Sequence, residues 1–226
     1  MAKLRVFVGM ETSGRVREAM RARGHVAVSC DLLPSDDGSP HHIQGDVMAH
    51  ILDWRPDLAI LHPTCRYLAN SGALRLYLDG KKANGPDPDR WARMREAAEF
   101  FRRLLCLPIP RLAIENPVMH GHALAIIGQG PSQSIQPYDF GEDASKRTCL
   151  WLHGLPRLVG TAYFPPRMVD GKPRWGNQTD GGQNKLPPSD DRWKLRSVTY
   201  QGIADAMAAQ WTVSADQLEM FARAAA

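Results

Sequence analysis

Two residues of this chain combine a reactive side chain with a setting that would expose it. Cys65 lies in HPTCRY (62–67), among punctuating and polar residues, and Glu115 opens ENP (115–117) directly after an apolar run. A thiolate is a strong nucleophile, and a carboxyl group beside it can hold or pass a proton. For Cys65 to ionise, its pKa must fall below the free value of about 8.5, which needs positive charge or amide dipoles nearby. Arg66, Lys146 and Arg147 are the candidates. Cys30, Cys106 and Cys149 instead sit in apolar runs (VAVSC, RRLLC, CLWL), where a cysteine reads as a small core residue. The four cysteines form no C-x-x-C pair, so each is expected as a free thiol.

Such residues work only if strands and helices bring them together. LRVFVG (4–9) reads as a strand ending in glycine, and ETSGRVREAMRARG carries Val16, Ala19 and Met20 at helical spacing. VAVSCD (26–31), LAIL (58–61), LAIE (112–115) and CLWLHG (149–154) are further short apolar runs, suited to a parallel sheet covered on both faces. Between 87 and 105, Trp91, Met94, Ala98, Phe101 and Leu105 alternate in steps of three and four, which predicts an amphipathic helix stopped before Pro108. A short helix is expected around 123–127, and GIADAMAAQW (202–211) predicts a late helix with Ile203, Met207 and Trp211 on one face. Residues 155–197 are rich in Pro, Gly, Asp, Lys and Arg and show little periodicity, so they read as an irregular insertion in a single 1–226 domain.

In an open α/β sheet, ligands bind outside the carboxyl ends of the strands, where strand order reverses. Gly9, Asp31, the 62–65 loop and Glu115 all fall at predicted strand ends, and Asp46 lies in QGDV before the next strand. An acid after the second strand suits ribose hydroxyls, since one carboxylate accepts from both. Each feature also has a plain structural explanation, as a tight turn, a helix cap or a core cysteine; their order is what stands out.

That order resembles the DNA cytosine-C5 methyltransferase family, in a shortened form of the kind often carried by bacteriophages. FVGMETSG (7–14) resembles the family's F-x-G-x-G loop, which would place Phe7, Gly9, Glu11, Thr12, Ser13 and Gly14 at the methionine part of S-adenosylmethionine. Asp31 stands at the ribose-binding acid and GDV (45–47), with Asp46 and Val47, at the adenine contact. HPTC (62–65) resembles the Pro-Cys nucleophile loop, which brings Pro63 to the donor and makes Cys65 the nucleophile. ENP resembles Glu-Asn-Val, whose glutamate holds the target base, with Asn116 fixing the carboxyl group. FGEDASKRTCLWL (140–152) resembles the segment whose basic residues meet the pyrimidine; Lys146, which shares a strand face with Thr148, is favoured over Arg147. Thr64 is interposed between Pro63 and Cys65, Arg66 stands where the family commonly has glutamine, and only 155–197 remains as a reduced target-recognition region.

The resemblance implies a Rossmann-like, S-adenosylmethionine-dependent α/β fold with a mostly parallel sheet, and methyl transfer to C5 of cytosine through a Cys65–C6 adduct. Glu115, protonated or sharing a proton with N3, would neutralise the adduct. The implied partner is DNA, either a duplex with the cytosine flipped out or a single strand. Lys81, Lys82, Arg90 and Arg93, with Arg174, Lys185, Arg192 and Lys194 in the insertion, are candidates for phosphates, although arginines on the 87–105 helix also suit a solvated face. Two alternatives keep the fold: C5 modification of free cytosine nucleotides, and a catalytically silent DNA-binding protein. Amino-directed methylation would need an Asn-Pro-Pro-Tyr loop, which 62–65 does not supply, and no metal is expected, because His41, His42, His62, His120 and His122 match no helix-borne spacing. Across 226 residues, 43% hydrophobic and 23% charged content is that of a folded globular chain. The net charge of +4 lightly favours a polyanionic partner. The start reads straight into a strand and no run approaches the roughly 20 apolar residues of a membrane span, so a cytoplasmic protein is expected.

Overall fold

The computed structural model describes residues 3–213; the ends of the expected 1–226 domain, 1–2 and 214–226, lie outside the described residues. Strands β1 (Arg5–Gly9), β2 (Val26–Asp31), β3 (His42–Gln44), β4 (Leu58–Leu61), β5 (Arg111–Pro117), β6 (Gln133–Ile135) and β7 (Thr148–His153) form one sheet in the order β3-β2-β1-β4-β5-β7-β6. The first five in that order are mutually parallel, and β7 runs antiparallel to both of its neighbours. The expected α/β architecture with a mostly parallel central sheet is therefore what the chain adopts.

Period-two alternation divides the apolar strands between two cores. Phe7, Cys30, Ala59 and Leu61 face helices α2 (Val47–Trp54), α3 (Pro88–Leu105) and α4 (Gly121–Ile127). Val6, Val8, Leu58 and Ile60 face α1 (Arg15–Ala22) and α6 (Gln201–Gln210). With both faces covered, β1 and β4 need to be apolar throughout, which is why their sequences look continuous rather than alternating.

The helices start and stop at local signals. Asp87 caps α3 by accepting from the Arg90 amide at 3.1 Å, Pro88 sits in its first turn, and Met94, Ala98, Phe101 and Leu104 form its buried stripe. Asp46 caps α2 in the same way, accepting from the Met48 amide at 2.8 Å.

Several elements differ from the sequence expectations. β5 runs two residues beyond the expected end, so Glu115 and Asn116 lie within a paired strand. Strands β3 and β6 have three residues each, too few to display a period, and α2 went unanticipated because its cap was read only as a ligand. The 155–197 segment contains a two-stranded hairpin, β8 (Arg167–Val169) and β9 (Lys172–Arg174), and helix α5 (Arg192–Ser197). The hairpin turns on Asp170 and Gly171, both with positive φ, and Asp-Gly is the dipeptide such a turn selects. Cys106 is exposed rather than a core residue, because α3 ends beside it and turns it outward.

Candidate active site

Strand order reverses between β1 and β4, and the loops leaving their carboxyl ends form the floor of the site. The His62 amide donates to the Gly9 carbonyl at 3.0 Å, tying the two loops together. Gly9 is required by close packing: a Cβ there would lie 2.6 Å from Leu61 Cδ2 and 3.1 Å from Val47 Cγ1.

The loop after β1 is knitted to its surroundings. Glu11 is buried; one of its carboxylate oxygens accepts from the Ser13 hydroxyl, and the other, Oε2, is buried with no partner. Thr12 donates to Asp36 at 2.9 Å, and Gly14 takes φ +73° where a side chain would collide with Arg17. Asp31 ends β2 and accepts from the Leu33 amide at 2.9 Å. Asp46 spends one oxygen on the α2 cap, and Val47 is buried beneath it. The Phe7 ring is fully buried, 6.0 Å from the Trp54 ring, and the backbone of Phe7 pairs with β2 and β4, so of the eight expected donor-loop and acid positions it alone turns wholly into the core. A buried anionic oxygen without a donor is costly unless a ligand supplies one. Glu11 Oε2 suits an ammonium or other cationic group, and Asp31 suits vicinal hydroxyls.

The loop after β4 carries Cys65 at the surface of the cleft, held by Asn116 of β5, whose side-chain amide donates to the Pro63 carbonyl at 2.7 Å. Asn116 is almost completely buried, and its Oδ1 has no partner. One residue earlier on β5, Glu115 accepts from His62 Nδ1 at 3.3 Å. Burial opposes the ionisation of Glu115, yet the His62 hydrogen bond, the Lys146 charge, His62 itself and the Thr148 hydroxyl together hold its carboxyl below the usual range. Glu115 is therefore held as a carboxylate.

The reversed β7 explains how Lys146 reaches this edge. In a parallel strand the preceding loop arrives at the opposite end of the sheet, whereas the antiparallel register, with Thr148 opposite Pro117 and Leu150 opposite Glu115, delivers 141–147 to the carboxyl end. The Lys146 ammonium donates to the Arg196 carbonyl at 2.7 Å and acts on both Glu115 and Cys65. Partial desolvation of the Cys65 sulfur disfavours ionisation and the Glu115 charge repels its ionised form, so its pKa lies above the ordinary value; Lys146, its own amide and Arg196 pull the other way. Of the three candidate cations Arg66, Lys146 and Arg147, it is Lys146 whose charge bears on the thiol. Arg66 lies over the Tyr67 ring, 5.6 Å from its centroid, and the charge of Arg147 falls on Tyr138.

The 155–197 segment closes over the same loop. Asn177 makes paired 3.0 Å hydrogen bonds with the main chain of Ser145, Asp143 accepts from the Gly176 amide at 2.6 Å, and Trp175 stacks on Tyr138 at 4.2 Å and 10°. From α5, Lys194 reaches Asp36 at 2.6 Å. The segment thus spans from the 141–147 loop to the loop beyond β2.

His62, Thr148, Asn177 and Arg196 are the residues that sequence reasoning missed as parts of this cleft. His62 was placed with its loop at a strand end and weighed as a metal ligand, but given no role toward Glu115. Its place immediately after an apolar strand, three residues before Cys65, was the available signal. The other histidines scatter: His120 caps α4, His122 lies 4.8 Å from Trp91, and His42 pairs with Ser29 at 2.8 Å. No helix among the described residues is long and apolar enough to cross a membrane.

No protein-family model and no curated protein matches this chain. Among solved structures, the methyltransferase EhMeth of Entamoeba histolytica is similar with a TM-score of 0.48 and 13% identity, over 73% of this chain and 59% of that one.

Proposed function

We propose that this chain transfers a methyl group from S-adenosylmethionine to C5 of cytosine in DNA, through a transient bond between Cys65 Sγ and C6. What carries the reading is the joint placement of thiol, carboxylate and ammonium, with Lys146 acting on both Cys65 and Glu115 and Asn116 tying the Cys65 loop to the strand of Glu115. Glu11 and Asp31 fit the donor, holding its ammonium and ribose hydroxyls. When bound, S-adenosylmethionine supplies an electrophilic methyl group.

C5 of cytosine is a weak nucleophile, so the chain must first make it electron-rich. Cys65 begins as a thiol, a state that the Glu115 charge favours, and Glu115 as a carboxylate held by His62, Lys146 and Thr148. Net passage of one proton from the thiol to the Glu115–N3 pair cures both at once: the charge that repels the thiolate is neutralised, and N3 becomes hydrogen-bonded to an acid. The thiolate then adds to C6, and the displaced electron pair makes C5 nucleophilic toward the methyl group. Loss of the C5 hydrogen as a proton to water returns an electron pair that expels Cys65 and restores the ring. Lys146 offsets negative charge on the sulfur and the carboxylate throughout.

Transfer from labelled S-adenosylmethionine tests the substrate. Label entering duplex DNA and sparing dCMP and dCTP is the expected result. Label entering only the nucleotides would move the assignment to free nucleotides, and tight DNA binding without label would mark a silent binder.

A further inference from the structure

Directly after Cys65, on the outer side of its loop, three guanidinium groups gather around one tyrosine. The Arg66 and Arg90 guanidinium carbons lie 5.6 and 5.1 Å from the Tyr67 ring centroid, and Arg93 Nη1 donates to the Tyr67 hydroxyl at 3.5 Å. Arg90 also donates to the Arg66 carbonyl at 3.4 Å, which ties helix α3 to the Cys65 loop. Among the described residues, none of these three arginines forms an ion pair. Other arginines of the molecule are treated differently: Arg102, at the far end of α3, pairs with Glu99 at 2.9 Å, and Arg17 pairs with Glu18 and Asp37.

Like charges held together without ion-paired acids raise the local potential and attract an anion of several charges. The tyrosine face holds the guanidinium groups by cation–π attraction and leaves their N–H donors for an acceptor outside. On another face of α3 a second pair of this kind occurs, with Arg95 lying 5.5 Å from the Trp91 ring centroid. Arginines interleaved with aromatic rings beside a nucleophile suit a sugar–phosphate backbone passing the site, since successive phosphates can meet successive guanidinium groups.

We infer that Arg66, Arg90 and Arg93, organised by Tyr67, grip DNA phosphates flanking the target cytosine. This inference rests on the reading of DNA as substrate, and it selects the α3 side of Cys65 as the path of the strand. It also separates these arginines from Arg102, which is paired with Glu99 and keeps the solvated role that an amphipathic helix gives most of its charges.

The test is fluorescence anisotropy of the full chain on a labelled duplex across a salt series. Each phosphate contact contributes about 0.9 to the slope of log K against log salt, so Arg90→Ala with Arg93→Ala should lower the slope by about 2 and weaken binding at least ~10-fold at low salt. Arg102→Ala should leave both unchanged. The milder pair Arg90→Gln with Arg93→Gln serves if the alanine pair loses its melting transition. Unchanged slope and affinity in the folded double variant would overturn the phosphate grip while leaving the DNA reading intact. Absence of binding by the unaltered protein would overturn the DNA reading itself.

Discussion

Cys65 and Glu115 are held from below by strands whose interiors are sealed from water, whereas Lys146 is held from above by a segment, 155–197, in which the buried residues are Leu158 and Trp175. The lower half is secured by apolar burial on both faces of the sheet, together with the Asn116–Pro63 and His62–Gly9 links. The upper half is secured by hydrogen bonds and one aromatic stack: Asn177 on Ser145, Gly176 on Asp143, Trp175 on Tyr138 and Lys194 on Asp36. The contrast assigns different tasks. The sheet edge fixes the Cys65 thiol and the Glu115 carboxylate to each other, and the polar segment brings the cation that tunes both and can be loosened without unfolding the core.

Perturbing the lower half should have the largest effect. Glu115→Gln removes the carboxylate and should reduce turnover by about 10²–10⁴-fold, the range for a lost acid or base. The same change removes the charge that repels the Cys65 thiolate, so alkylation of Cys65 by iodoacetamide at neutral pH should become faster as turnover collapses. Parallel loss of both would show that the two groups are not coupled. In the unaltered protein, kcat/KM should stay level through the ordinary cysteine range and fall only at higher pH, where the thiol that supplies the N3 proton ionises, because its pKa is raised. Lys146→Met should move that fall to still higher pH.

His62→Leu comes next in size. It removes the hydrogen bond that favours the Glu115 carboxylate, so the carboxyl pKa should rise and kcat should fall, by about 10-fold for one lost charge-assisted bond. The linkage sign follows from the depressed pKa. Glu115 stabilises the fold above the carboxylate's unfolded pKa, and that contribution is lost as pH falls through the lower, folded value. The His62→Leu variant therefore has less stability to lose on acidification, and its unfolding free energy, followed by circular dichroism in urea, should fall by less than that of the unaltered protein between neutral pH and the carboxylate range.

In the upper half, Asn177→Ala should cost about 1–3 kcal/mol through its two lost bonds to Ser145, measured by urea unfolding, and should raise KM for DNA more than it lowers kcat. Lys194→Ala removes an exposed ion pair and should leave the melting temperature unchanged within error. A fall in kcat from Asn177→Ala as large as that from Glu115→Gln would erase the distinction between the halves.

The lower half was the more legible in sequence, for the same physical reason that it is rigid. Fully buried strands must be apolar, so β1, β2, β4, β5 and β7 stand out as runs, and the residues after them mark the ligand edge. The upper half depends on contacts between polar residues remote in sequence: Asn177 meets Ser145 across 32 positions and Lys146 meets Arg196 across 50. No periodicity encodes such pairs. His62 and Glu115, separated by 53 positions, were hidden likewise until parallel pairing of β4 with β5 set their ends side by side. The Asp170-Gly171 hairpin was within reach, since its dipeptide is a turn signal.

The covalent bond between Cys65 and cytosine C6 is the central claim, and trapping on duplex DNA containing 5-fluorocytosine tests it most directly. Fluorine at C5 cannot leave as a proton, so the methylated adduct cannot eliminate the enzyme. With S-adenosylmethionine present, the expected result is a denaturation-resistant protein–DNA complex whose crosslinked peptide contains Cys65, lost in Cys65→Ala although donor binding persists. Absence of any complex under conditions of turnover, or a crosslink at the exposed Cys106 instead, would contradict the account.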